Sequence, residues 1–300
     1  EITANVTSKL FVDNTTQVSY NLTPDGAVGD IIFTSNDTGV VEVDQNGNIK
    51  AIAEGTALIT VIFEGSENYN ASSTDVTITV SKIPTEINIT NETVELKALQ
   101  SIGGLATLNP AGAGNLTYTS SDEDVVEVSD DGIIYARIKG TATVTVSFAG
   151  DDKYKAAESK NITVTVTLND ARVSVENDTL DLFVDDACII NSTANPHFLT
   201  VYYTSSDESV ATVTDYGIVV AVGEGTAIIT ISQAETNKWA GESRQQTITV
   251  SKVANTLGVS IASLEAKVGS GIAVSFLNQN NTETPVIATI TEQELSSDVN

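Results

Sequence analysis

From Ala142 to Phe148 apolar and polar side chains alternate without a break: Ala142, Val144, Val146 and Phe148 fall on one side, Thr143, Thr145 and Ser147 on the other. A period of two marks a strand with one buried face, whereas a helix needs apolar residues three and four apart. Val126 and Val128 flank Glu127, Ile162, Val164 and Val166 sit among threonines, and Ile248 and Val250 behave alike. β-branched residues dominate these runs, which suits a pleated surface. No window offers an amphipathic helix. The pattern predicts an all-β chain of short strands.

The pattern is also written three times. "FTSNDTGVVEVDQNGNIKAIAEGTALITV" begins at Phe33, "YTSSDEDVVEVSDDGIIYARIKGTATVTV" at Tyr118 and "YTSSDESVATVTDYGIVVAVGEGTAIITI" at Tyr203, a spacing of 85 residues each time. Gly47, Gly132 and Gly217 fall in register where a tight hairpin needs positive φ. Gly55, Gly140 and Gly225 precede what reads as the longest strand. Tyr69, Tyr154 and Trp239 continue the match, in "SENYNAS", "DDKYKAA" and "TNKWAGE". An aromatic at that point is expected to cap one end of a core, with ligand stacking as the alternative. Beyond it the second copy slips by one residue, which predicts a bulge or a longer loop.

A fixed period makes the unit one small fold repeated. Each unit holds about seven strands, spaced as in an antiparallel sandwich, and is large enough for one core. The fold class expected is all-β: tandem immunoglobulin-like β-sandwiches forming an extended rod. The units are residues 1–83, 84–168 and 169–252, followed at 253–300 by the opening strands of an incomplete fourth. Between them lie only "SKIPT" at Ser81, "TLNDA" at Thr167 and "SKVAN" at Ser251, too short for flexible tethers. Strands of about ten residues at about 3.3 Å each give units of about 35–40 Å and a rod of about 110–120 Å.

These residues carry a resemblance. "TSSDESVATVTDYGIVVAVGEGTAIITI" resembles the bacterial Ig-like (BIG2-type) module, over residues 33–80, 118–166 and 203–250 and loosely over the leading strands. The Asn- and Thr-rich background and "ENYNAS" also resemble adhesin-like surface proteins of methanogenic archaea. What the family implies is a sandwich used outside the cell as a spacer or adhesive module, in stalks and adhesins, without a shared binding site.

Composition narrows the partners. Forty acidic and 14 basic residues give a net charge of -26, which repels phosphate backbones, so nucleic acid is excluded. Nothing approaches eighteen consecutive apolar residues, so no segment is expected to insert in a membrane. The chain contains no Met and opens at Glu1 without a signal-peptide pattern, which reads as a processed or excised piece. Cys188 stands alone in "ACIIN", next to Asp185 and Asp186, and reads as a buried structural thiol. His197 is the single histidine, in the loop "ANPHFL", nine residues after Cys188. A Cys-His pair would need an oxyanion-forming turn and an orienting amide, and neither is evident. No catalytic residue, cofactor site or metal site is assigned, and the chain reads as no enzyme. Calcium is the one candidate ion, at "SSDED", "SSDES" and "VSDDG", though none matches a twelve-residue calcium loop. The other reading makes Asp37, Asp122 and Asp207 acceptors in Asx turns. A Lys-to-Asn crosslink through a buried acid is a further candidate, with Lys9 and Lys97 near strands but no repeated trio.

The most informative motif is N-x-[ST]. Twelve asparagines begin one: Asn5, Asn14, Asn21, Asn36, Asn70, Asn88, Asn91, Asn115, Asn161, Asn177, Asn191 and Asn280. Chance pairing of this composition gives about five. Glycosylation of a surface protein explains the excess directly; Asn-Thr alternation in strands is the other explanation. The tail from Val253 leaves Val268, Ile272, Val274 and Phe276 as a candidate assembly edge, to be completed by another copy if it is not the cut end of a longer array. The function expected is an extracellular, cell-surface structural stalk or adhesin-like protein, N-glycosylated and non-enzymatic. Its alternatives are a filament subunit joined head to tail by strand complementation, and an adhesin binding host or community glycans through end loops. Other surface proteins or further copies of the chain are the expected partners.

Overall fold

The computed structural model describes residues 1–254, and among them there is no helix. The first sandwich contains β1 (Ile2–Asn5), β2 (Lys9–Phe11), β3 (Thr15–Gln17), β4 (Ser19–Leu22), β5 (Ile31–Ser35), β6 (Val41–Val43), β7 (Asn48–Ala51), β8 (Gly55–Phe63) and β9 (Ser72–Ser81). A four-stranded sheet in the order β2-β9-β8-β5 faces a three-stranded sheet β3-β7-β6, with β1 and β4 paired beside them. Alternation sends Val41, Ile49, Ile59, Val61, Ile78 and Val80 into the space between. Each fully buried Ile or Val contributes about 2 kcal/mol.

The second sandwich repeats this with β10 (Glu86–Ile89), β11 (Thr93–Lys97), β12 (Ser101–Ile102), β13 (Ala106–Asn109), β14 (Thr117–Ser120), β15 (Val126–Val128), β16 (Ile134–Ala136), β17 (Gly140–Phe148) and β18 (Ala157–Thr167). The third has β19 (Arg172–Val175), β20 (Thr179–Phe183), β21 (Ala187–Ile189), β22 (Ser192–Asn195), β23 (Val201–Ser205), β24 (Ala211–Val213), β25 (Ile218–Ala221), β26 (Gly225–Gln233) and β27 (Glu242–Ser251). Sheet orders are conserved through all three copies. Compact units do not follow the repeats: Glu1–Ala171 goes with Glu235–Gly241, and Arg172–Ala234 goes with the chain from Glu242.

Each sandwich therefore has nine strands, two more than the seven expected, and it is not wholly antiparallel. β2 runs parallel to β9, β11 to β18 and β20 to β27. A single left-handed residue follows each of these strands, and there the chain changes sheets: Asp13 at φ 71°, Leu99 at 72° and Asp185 at 74°. Before it the chain bonds to one sheet, and after it to the other. Val12 N donates to Ser81 O at 3.1 Å and Asp13 N to Ala51 O at 2.9 Å. The next side chain closes the bend, with Asn14 Oδ1 accepting from Phe11 N at 3.0 Å, Gln100 Oε1 from Lys97 N at 2.8 Å and Asp186 Oδ2 from Phe183 N at 2.8 Å. Asp tolerates the left-handed region, whereas Leu99 carries its cost of about 1–2 kcal/mol.

The hairpin glycines do two jobs. Gly47, Gly132 and Gly217 have φ of 74°, 76° and 75°, and each lies against the aromatic that opens its repeat. A Cβ at Gly47 would stand 3.0 Å from the Phe33 ring, at Gly132 2.5 Å from Tyr118 and at Gly217 3.0 Å from Tyr203. Gly55, Gly140 and Gly225 open nine-residue strands, but β9, β18 and β27 are longer, at 10, 11 and 10 residues. The slip expected in the second copy is a bulge: Val146 pairs with Lys160 and Phe148 with Ala157, leaving one extra residue on β18.

Among the described residues, only the third sandwich buries glutamine. Gln233 and Gln246 are buried, and their Oε1 atoms have no hydrogen-bond partner. Gln246 faces Ile229 on the neighbouring strand, where the first sandwich sets Val76 against Ile59 and the second Ile162 against Val144.

Two stability changes follow. Gly132→Ala meets both a left-handed backbone and the Tyr118 ring, and should cost about 2–3 kcal/mol by urea midpoint. Gln246→Ile removes an orphaned buried oxygen but also the bond that Gln246 Nε2 donates to Asn177 O at 2.9 Å, so the two effects offset and the third sandwich should change by less than about 1 kcal/mol in the same assay.

Candidate functional site

The Ser-Ser-Asp block turns the chain off the edge of the larger sheet. Asn36 Oδ1 accepts from Leu58 N at 2.7 Å, Ser121 Oγ from Thr143 N at 2.8 Å and Ser206 Oγ from Ile228 N at 2.8 Å. These side chains continue the ladder where the backbone leaves it. The aspartates that follow are Asx-turn acceptors: Asp37 Oδ1 takes Gly39 N at 3.0 Å, Asp122 Oδ1 takes Asp124 N at 3.0 Å, and Asp207 Oδ1 takes Ser209 N at 2.9 Å. The Ser209 hydroxyl, then its backbone N–H, hold the Asp207 carboxyl below the usual carboxylate range. The acceptor oxygens are thus engaged by their own loops. Among the described residues no three His, Cys, Asp or Glu side chains gather as a metal-holding group.

Cys188 sits on β21 with its side chain against the third core. Burial, followed by the charge of Asp186, pushes its thiol above the ordinary value, the opposite of what a nucleophile needs. His197 lies exposed in the loop after β22, its ring edge-on to Phe198. Of the crosslink candidates, Lys97 forms an ion pair with the exposed Asp170 at 2.5 Å, and Lys9 lies exposed on β2.

The shared aromatic marks a junction. Tyr69 and Tyr154 pack against the first and second cores, as expected of a cap. Trp239 does not belong to the third core; its loop, 235–241, joins the unit of Glu1–Ala171. In the loop of Tyr154 the linker from the first sandwich enters as an extra strand. Ile83 N donates to Lys153 O at 2.9 Å, and Lys155 N donates to Ile83 O at 2.9 Å. Lys82 Nζ reaches Asp151 O and Thr85 Oγ1 reaches Lys155 O, both at 2.6 Å. Lys153 Nζ spans to Asp13 Oδ2 at 2.6 Å. The same backbone pairing recurs where Asn169 N donates to Lys238 O and Ala240 N to Asn169 O, both at 2.9 Å. Sequence reasoning read these linkers as merely short. Lysine precedes the aromatic at 153 and 238, the two loops that receive a linker, whereas the first copy has Asn68, but the pairing itself runs through backbone atoms and leaves no side-chain signal.

All eleven sequon asparagines among the described residues are exposed: Asn5, Asn14, Asn21, Asn36, Asn70, Asn88, Asn91, Asn115, Asn161, Asn177 and Asn191. Asn5, Asn21, Asn88 and Asn161 lie in strands and the other seven in turns and loops, so strand alternation does not account for most of them. Asn280 and the assembly-edge residues Val268, Ile272, Val274 and Phe276 lie outside the described residues.

The fold and its junctions define a class: tandem Ig-like sandwiches of the kind typical of cell-surface and adhesion proteins. Residues 1–80 and 84–160 each match the sequence profile of the bacterial Ig-like domain (group 2). These matches cover more than half of the chain, and it belongs to that family. An uncharacterised protein of Clostridium acetobutylicum is 32% identical over 164 residues, which is 54% of this chain and 16% of that one. The chain thus spans about a sixth of the length of that curated relative. Among solved structures, the S-layer protein rSbsC is similar over 96% of this chain and 44% of its own, at 19% identity and a TM-score of 0.29. Drosophila N-cadherin EC1–3 is similar over 82% and 98%, at 14% identity and a TM-score of 0.31.

The Asp13–Lys153 pair has a calculable pH range. The Lys153 ammonium lowers the Asp13 pKa, so this contribution is present above 3.8 and lost as pH falls through the lowered value. The Lys153 pKa is raised by Asp13, so its contribution is lost only as pH rises past 10.5. Asp13→Asn keeps a residue that tolerates the left-handed backbone and removes the charge. At neutral pH it should speed deuterium exchange at the Lys155 amide a few-fold over the parent chain, and the difference should vanish at pH 2.

Proposed function

We propose that this chain is a non-enzymatic spacer in an extracellular cell-surface protein, N-glycosylated at its exposed sequon asparagines. The observation that carries this reading is the pairing of Ile83. A five-residue linker whose central residue is hydrogen-bonded on both sides to the next sandwich transmits position, and a flexible tether would not. The parallel pairing of β2 with β9 supports it, because a strand of the opening segment and a last strand that run the same way put chain entry and exit at opposite poles of the sandwich. Sandwiches of this kind join in series. Glycans on a dozen sites would add bulk and protease resistance along such a series. Other surface proteins are the partners that this role implies.

Two measurements test the reading. Small-angle scattering of the chain should give a maximum dimension near the ~110–120 Å expected from strand length; a compact profile would remove the spacer. Peptide mass spectrometry of native material should find hexose-containing adducts on several of the eleven exposed asparagines. Bare asparagines throughout would remove the glycans and leave the spacer standing.

A further inference from the structure

The outward face of the smaller sheet differs between the copies in a way the fold does not require. In the first sandwich it carries Thr15, Gln17, Glu42, Asn48 and Lys50, with the half-buried Ile52 at the place of Val222, and in the second Ser101, Glu127, Ile133, Tyr135 and Arg137, the last paired to Glu127 at 2.6 Å. In the third, β21, β25 and β24 present Ala187, Ile189, Thr212, Ile218 and Val220, with Val222 just beyond. Not one of these is charged. Ile189 is 65% exposed, Val222 47%, Val220 38% and Ile218 37%. Strand register makes them contiguous: Ile189 lies opposite Ile218, and Ala187 and Thr212 both lie opposite Val220. Asp185 and Asp186 precede β21, and Asp215 lies in the turn before β25, so the rim is acidic.

We propose that this face is a self-association surface, on which the third sandwich of a second copy of the chain packs sheet to sheet. Two properties select a copy of the chain. The first is symmetry: a two-fold axis through Val220 sets Ile218 of one β25 over Val222 of the other and Val220 over Val220, so each apolar side chain meets an apolar one. The second is charge. Two chains of net charge -26 repel wherever carboxylates would meet, and this patch lets them touch without burying one. The apolar area is on the order of 400 Å² per copy, about half of a standard interface. The contact is therefore weak and suits many copies held side by side at high local density.

Sedimentation equilibrium of the full chain from about 10 μM to 1 mM tests this, at about 0.02 and 0.5 M NaCl, where screening differs most. The expected result is a reversible dimer that salt strengthens several-fold, because salt screens the acidic rims. Ile189→Gln with Ile218→Asn installs the residues that the first sandwich already carries at these places, Gln17 and Asn48. That variant should keep its thermal midpoint and bind itself at least tenfold more weakly; Val220→Lys, after Lys50, is the second variant should the first fail to fold. A chain that stays monomeric throughout, a dimer untouched by either variant, or one that salt weakens would each overturn the proposal. So would a monomer whose β25 amides become faster-exchanging when residues 255–300 are removed, because that would assign the face to the chain's own tail.

Discussion

Everything in this fold hangs on a strand that must serve two sheets. A unit of about 85 residues can close only one core, and the opening segment is the part of the chain that ties its two layers together. It does so by turning at one left-handed residue, Asp13, Leu99 or Asp185, with hydrogen bonds to one sheet on one side and to the other sheet on the other. The strand before that turn runs parallel to the last strand, and their common direction separates the two poles. The linker then leaves from the pole opposite the one where the chain came in, which is where Ile83 finds the loop of Tyr154.

The larger elements were legible because their signals are local. Alternation located β8, β17 and β26, glycine located the hairpins, and the 85-residue period made each reading count three times. The sheet-switching turn was not legible, since Asp, Leu and Asp share no side-chain property. What they share is the oxygen of the next residue, Asn14, Gln100 or Asp186, and that becomes a signal only once the bend is known. Nine strands read as seven for the same reason: pieces of two to five residues are too short to show a period. Trp239 aligns with Tyr69 and Tyr154 but, unlike them, is not among the side chains packed on the core of its own copy, because position in a repeat fixes backbone and not side-chain surroundings.

At the candidate sites the sequons were legible as a motif, and their exposure is what the structure adds. The junction was hidden because its bonds run through backbone atoms of Ile83, Lys153 and Lys155, whose identities scarcely matter to them. The apolar face of the third sandwich was visible in principle. "GIVVAVG" loses the alternation that "GNIKAIAEG" keeps, yet a run of apolar residues reads equally well as a strand buried on both faces. Divergence among the copies follows one rule: inward positions hold apolar volume, apart from the two glutamines of the third core, while outward positions are free to acquire charge, amides or isoleucine.

The parallel neighbours at the two ends of each sandwich also decide how it bears tension. Pulling on a chain whose second and last strands lie side by side in parallel draws them past each other, so their slanted hydrogen bonds are loaded together and must fail together. Antiparallel ends would peel open one bond at a time. Five residue pairs join β11 to β18 and five join β20 to β27, but only three join β2 to β9. Under stretch the first sandwich is the one that gives way, lengthening the chain while its neighbours keep their shape, as a fuse protects the rest of a circuit.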